Sequence, residues 1–145
     1  MSDQRFTVEE ANALLPKIRH HLSVVFARKA DLRRLGNELA THGVDVRTAW
    51  KAQASDAREI LELKETFKQT LTAIQKELDE IQATGAVVKD LQLGLVDFNS
   101  RLEGREVLLC WQFGEGDIAY YHELDAGFAG RRPVHPHSTD STPFH

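Results

Sequence analysis

Apolar residues recur every three or four positions over residues 8–84, which is the spacing of helices packed on one face. Thr7 and Glu10 stand in the capping-box pattern just before the first run. The pattern predicts a helix from about residue 8 to about residue 41, ended by Gly43. Its seam, interrupted by a lysine and narrowed by a glycine, is Ile18, Leu22, Val25, Lys29, Leu32, Gly36 and Leu39.

A second heptad run predicts a partner helix that ends at Gly85. This run consists of Ile60, Lys64, Phe67, Leu71, Ile74, Leu78 and Ile81. Because the connection between the runs is short, the two helices are expected to pack antiparallel as a long hairpin over about residues 8–84. A lone hairpin leaves apolar surface uncovered. The following sheet is expected to cover part of this surface, and two hairpins are expected to associate into a four-helix bundle. The two expectations are compatible.

After Gly85 short apolar runs alternate with turn residues, which indicates β-strands. Strands are predicted at residues 95–100, 106–111 and 118–122, and an additional short one can be drawn at 86–88. Gly104 and Gly116 mark the corners, since glycine readily adopts the positive φ of tight turns. The predicted fold is α+β: a helical hairpin followed by a small three-stranded antiparallel β-meander over about residues 86–125. Residues 1–133 are expected to form a single domain, and the Pro-, Ser- and Thr-rich residues 134–145 are expected to form a disordered tail.

The first corner fixes which side chains face each other. With Glu103 and Gly104 at the corner, Asp97 faces Cys110 on one side of the sheet, and the other side is apolar. The second corner leaves two registers open. A two-residue corner places Tyr121 opposite Cys110, whereas a three-residue loop with a bulge places His122 there. The second register would bring His122 beside Asp97 and Cys110.

Carboxylate, thiol and imidazole together suit a transition metal, with zinc or iron favoured over magnesium. Asp97, Cys110 and His122 are therefore the candidate metal ligands, with Glu115 and Glu123 as further acidic candidates. Their spacing matches no CxxC or HExxH pattern. The competing interpretation is a small buried cysteine beside a hydrogen-bonded histidine.

A second candidate site consists of arginines. Arg105, Arg131 and Arg132 could gather around an anion such as phosphate, which guanidinium groups bind through paired hydrogen bonds. The chain contains neither GxGxxG after a strand nor GxxxxGK[ST], so it has no nucleotide fingerprint. The competing interpretation is that these arginines pair with neighbouring carboxylates.

Composition limits the partners. The net charge of -4 and the pI near 6.0 argue against nucleic acid. No apolar run approaches the roughly 20 residues that span a bilayer, and the N-terminus has no signal-peptide pattern. The single cysteine cannot form an internal disulfide, which fits a cytoplasmic protein.

Dispersed segments of the chain resemble the bacterial domain-of-unknown-function family 2203. They are FTVEEANALLP, VKD, GLVDF, GREVLLCW, GE, His122 and GFAGRRP, and they extend to Pro133. Tyr121 stands where this family usually has tryptophan, and Asn99 replaces a common proline. The resemblance implies a fold type and a bacterial source, and it supplies no reaction.

Two functions remain open. The favoured expectation is a self-associating interaction module, a homo-oligomer whose helical hairpin carries the binding surface and could also take an unknown protein partner. The alternative is a metal-binding protein or metal-dependent enzyme, with zinc or iron at Asp97, Cys110 and His122. No enzyme motif decides between them, so catalytic activity stays open.

Overall fold

The computed structural model describes residues 4–140. Within these residues the chain is α+β, with a long N-terminal helical region and a five-stranded antiparallel sheet. The elements are α1 (Val8–Thr41), α2 (Val46–Ala49), α3 (Arg58–Ala83), β1 (Val87–Asp90), β2 (Leu95–Leu102), β3 (Arg105–Gln112), β4 (Tyr120–Glu123), a short 3-10 helix (Phe128–Gly130) and β5 (Arg132–Pro133). Two compact units are present, Ser23–Asp79 and the described residues up to Leu22 together with those from Glu80 onwards.

Helix α1 begins at the predicted capping box. The Thr7 hydroxyl accepts the Glu10 N–H at 3.1 Å, and the Glu10 carboxylate accepts the Thr7 N–H at 2.9 Å. These two bonds satisfy amides that have no partner inside the helix. The helix continues through Pro16 to Thr41, as predicted, and Gly43 follows with a φ of 78°.

In the unit Ser23–Asp79, α1 and α3 contribute to one apolar cluster. Its buried members are Leu35, Leu39 and Phe67. Lys64, which interrupts the predicted heptad, is buried, and its ammonium donates to the Asp56 carboxylate at 2.8 Å and to the Lys51 carbonyl at 2.9 Å. The hydrogen bond from Lys64 holds the pKa of Asp56 below its usual value. Lys64 therefore ties α3 to the segment that precedes it.

The sheet has the order β1-β2-β3-β4-β5, and each neighbouring pair is antiparallel. The three predicted strands correspond to β2, β3 and β4, so the count of three was inexact. The short strand drawn at residues 86–88 is present as β1. Strand β5 has only two residues, Arg132 and Pro133, which is too few to produce a recognisable alternation.

One face of the sheet is apolar, as predicted. Its buried apolar residues include Val96, Phe98, Val107, Leu109 and Trp111. Phe6 packs edge-to-face on Phe98 at 5.4 Å between ring centroids, and its N–H donates to the Asn99 carbonyl at 2.7 Å. The segment before α1 is therefore held against β2.

The described part of the predicted tail contacts the sheet. Val134 is buried, and its N–H donates to the Ala119 carbonyl at 3.0 Å. The Asp140 carboxylate accepts the N–H groups of Glu103 and Gly104 at 3.1 and 2.8 Å, at the corner between β2 and β3. Val134 and Asp140 therefore make ordered contacts where disorder was predicted. Composition could not predict these contacts, because they depend on one apolar side chain and one carboxylate. Residues 141–145 lie outside the described residues.

No helix within residues 4–140 is both long enough and apolar enough to cross a bilayer.

Candidate metal centre

The first hairpin has the predicted register, and the second does not. Asp97 faces Cys110 across β2 and β3. Across β3 and β4, Tyr120 faces Cys110 and His122 faces Leu108, so both registers proposed for the second corner were wrong. The connection between these strands runs from residue 113 to residue 119, longer than either proposed corner. Since side chains alternate with period two, His122 is still on the face of Cys110, one step along the strand.

Three donor atoms converge on this face. One oxygen of Asp97, the sulfur of Cys110 and one ring nitrogen of His122 all lie within 4.8 Å of one another. The three residues are 3, 2 and 4% exposed. Polar groups buried to this extent cost free energy unless they bind one another or a ligand.

The ring of His122 is fixed at both nitrogens. Nδ1 lies 2.8 Å from the Glu123 backbone carbonyl, and because a carbonyl oxygen only accepts, Nδ1 carries a proton. Nε2 lies 3.2 Å from Oδ2 of Asp97. In a neutral imidazole, Nε2 then carries a lone pair that faces the Asp97 carboxylate. A proton or a cation has to lie between these two groups. Metal-ligating histidines usually donate their other ring N–H in this way.

Burial sets the protonation of the other two groups. It raises the pKa of Asp97, an effect larger than the opposing effect of His122. It also raises the pKa of the Cys110 thiol to about 12, and the charge of Asp97 adds to that. At neutral pH the thiol is therefore protonated and is not an activated nucleophile. A bound divalent cation would reverse both preferences, because its charge favours thiolate and carboxylate.

A cleft of about 350 Å³ gives access to the three ligand residues, which form part of its lining. Its other lining residues include the apolar side chains of Leu95, Leu108, Leu124 and Phe128 and the charged side chains of Lys89 and Asp125. A larger groove of about 660 Å³ lies in the unit Ser23–Asp79 and is lined by none of the predicted site residues. The three candidate metal ligands therefore line the smaller cleft and not the larger groove.

The three arginines of the predicted anion site have different surroundings. Arg105 pairs with Glu123 at 3.1 Å, and Arg131 pairs with Glu115 at 2.8 Å. Arg132 is exposed on β5. Arg105 and Arg131 therefore form ion pairs of the kind that the competing interpretation expects.

Arg131 has a positioning role that sequence reasoning missed. Its guanidinium carbon lies 4.0 Å from the centre of the Tyr120 ring and 4.6 Å from that of Phe128. Within residues 4–140, its buried Nε has no hydrogen-bond partner. The stacking, together with the Glu115 pair, fixes Phe128 at the cleft. Adjacent arginines in a Gly-rich segment were the only signal in the sequence, and they suggested an anion instead.

Fold and site together define a small α+β protein with a buried cluster of three ligand-type residues in its sheet. The chain belongs to the family described as "Uncharacterized conserved protein (DUF2203)", whose family model matches residues 4–134. The resemblance drawn from its motifs is thereby confirmed, and all three ligand-type residues lie inside the matched region. Neither a curated protein nor a solved structure matches the chain.

Proposed function

We propose that this protein binds one divalent transition-metal ion, zinc or iron, through Asp97, Cys110 and His122. The observation that supports it is the convergence of the three donor atoms within 4.8 Å, with Nε2 of His122 turned towards the Asp97 carboxylate at 3.2 Å. A thiolate and a carboxylate neutralise the two charges of the cation. The sulfur donor favours zinc or iron over magnesium or calcium.

Three protein ligands leave the fourth tetrahedral position to water or a bound molecule. Structural zinc sites are normally closed by four protein ligands, whereas catalytic sites keep one position open. The cleft beside the cluster supplies access to such a position. We therefore propose a metal centre that acts on, or carries its metal to, a small molecule in this cleft.

The test is metal stoichiometry in untagged protein whose tail histidines, His135, His137 and His145, are replaced by glutamine. After zinc loading and desalting, we expect close to one zinc ion per chain. Cys110→Ala is expected to lower zinc affinity by more than the roughly 10–100-fold typical for loss of an outer-shell partner. Elemental analysis and competition with a chromophoric chelator measure both quantities.

The matched control is Val107→Ala, a truncation on the same strand whose side chain is on the opposite face. It should lower thermal stability and leave zinc stoichiometry unchanged. Zinc that disappears with the tail histidines and does not respond to Cys110→Ala would overturn the proposed metal centre.

A second candidate function, self-association, is favoured by exposed leucines on α3. Leu71 belongs to the predicted heptad seam and is 37% exposed, and Leu61 is 36% exposed. A second chain that covered these side chains would remove apolar surface from water. We infer that two copies associate through this helix.

Light scattering after size exclusion at micromolar concentration should then give at least twice 16.4 kDa. Replacing both Leu61 and Leu71 by glutamate should shift the protein towards monomer, because the charges oppose burial. Leu93→Glu, at a leucine in the sheet unit that is 53% exposed, is the control and should leave the mass unchanged. A monomer for the unmodified chain would contradict the inference.

A further inference from the structure

We propose that the cleft binds a small molecule with an apolar body and a singly charged anionic head group, and that the head group coordinates the metal. This proposal rests on the proposed metal centre and names the class of molecule that reaches it. Apolar carboxylates and hydroxamates have this chemistry.

The apolar body is inferred from the walls. Leu95 and Leu108 are each 8% exposed, whereas Leu124 and Phe128 line the same cleft and remain 61 and 41% exposed. A bound apolar group would remove the last two from water, which is the main source of affinity in such a site. The volume of about 350 Å³ is near the lower limit for small-molecule pockets. The occupant is therefore small.

One wall is already held in place. Phe128 begins the 3-10 helix and stacks on Arg131, which is itself fixed by its ion pair with Glu115. A wall that is ordered before binding loses little conformational freedom when a ligand arrives. The cleft is thus suited to a rigid apolar group such as an aromatic ring.

The charge of the head group follows from the charges at the site. A divalent ion with one thiolate, one carboxylate and one neutral imidazole has no net charge. Lys89 lines the cleft, and its ammonium favours the ionised form of Asp97, so it can balance one further negative charge. Asp125 also lines the cleft, but Lys89 is the one of the two that acts on the Asp97 charge, so Asp125 opposes any negative charge beyond the one that Lys89 balances. A monoanion fits these charges better than a dianion such as phosphate.

The experiment uses the full chain with its tail histidines replaced and with Co²⁺ in place of zinc, since the visible spectrum of Co²⁺ reports its ligands. Acetohydroxamate and benzohydroxamate are the probes, because they share a head group and differ only in the apolar body. Both should change the cobalt spectrum. Benzohydroxamate should act at a concentration at least about tenfold lower, because its ring removes more apolar surface from water.

Two variants separate the body from the head group. Replacing both Leu124 and Phe128 by alanine should remove most of the preference for benzohydroxamate and leave the response to acetohydroxamate unchanged. Lys89→Gln should weaken both probes. Leu93→Ala is the matched control, because Leu93 is exposed and does not line the cleft. It should affect neither probe.

The outcomes separate the two proposals. A protein that gives no cobalt spectrum dependent on Cys110 refutes the metal centre, and the present proposal falls with it. A Cys110-dependent spectrum that neither probe changes, or that both change at equal concentration, refutes only the present proposal. The present proposal is also refuted if the hydroxamates remove cobalt from the protein and no spectrum of a protein–cobalt–hydroxamate complex is seen.

Discussion

Asp97→Asn is expected to remove zinc binding while leaving the metal-free protein at least as stable as the unmodified chain. Asparagine has the shape of aspartate. Its amide N–H can donate to Nε2 of His122, and its carbonyl can accept from the thiol of Cys110. The substitution keeps the local hydrogen bonds and removes a carboxylate that burial disfavours. A ligand is lost, so zinc affinity should fall by at least about a hundredfold.

The stability gain should depend on pH in a defined direction. The pKa of Asp97 is raised in the folded protein, so the folded state binds the proton more tightly than the unfolded state. The stability that this proton contributes is fully present below 3.8, the ordinary pKa of aspartate, and is lost as pH rises through the folded pKa. The asparagine of the Asp97→Asn variant does not titrate. The advantage of the variant should therefore grow as pH rises above 3.8 and then level off.

Thermal midpoints of metal-free protein between about pH 4 and pH 8 measure this difference, since the ordinary pKa of aspartate lies at the low end of that range. A zinc titration of the same samples measures the affinity. Asp125→Asn makes the same chemical change at an exposed residue of the cleft and should leave zinc affinity nearly unaltered. If Asp97→Asn instead lowers the midpoint by several degrees at pH 7, Asp97 is a structural residue and the metal centre loses its main support.

Two of the three cluster residues could be predicted to face each other from the sequence, because their pairing depends on local geometry. Glu103 and Gly104 form a two-residue corner, with φ values of 51° and 78°. Such a corner sets the register of both strands over their whole length. Asp97 and Cys110 were paired on that basis, and they are paired in the structure.

The position of His122 could not be predicted in the same way, because the second connection is held by distant residues. The Arg19 guanidinium donates to the Gly116 carbonyl at 3.2 Å, and the Ile118 N–H donates to the Asn12 side chain at 2.7 Å. Asn12 lies on α1, more than a hundred residues away in sequence. No local pattern contains that contact, so both proposed registers missed the true one. Only the period of two kept His122 on the correct face.

The cleft shows the same limit. Its outer wall depends on Arg131, which is placed by stacking on aromatic rings and by a carboxylate from another loop. These are single contacts between residues three to sixteen positions apart in irregular segments and strand ends, and they have no periodicity. The helices were predictable for the opposite reason, since caps and apolar spacing lie within a few residues of each other.

Zinc affinity is expected to rise by at least about tenfold for each unit of pH, because metal binding displaces protons from its ligands. The pKa of the Cys110 thiol is about 12 in the metal-free protein. Below that pH the thiol is protonated, so forming the zinc thiolate releases one proton throughout the accessible range. The proton between Asp97 and His122 has to leave as well wherever it is present, which makes the dependence steeper towards low pH.

Competition titrations between about pH 6 and pH 8 give the slope, and calorimetry in buffers of different ionisation enthalpy gives the number of protons released. One released proton corresponds to about a hundredfold change over this range, and two correspond to about ten-thousandfold. In Cys110→Ala, residual zinc binding should show a slope smaller by one proton. The tail histidines are replaced in both proteins, so that their protonation does not contribute. An affinity independent of pH in the Cys110-containing protein would show that zinc does not displace the thiol proton, and Cys110 would then not be a ligand.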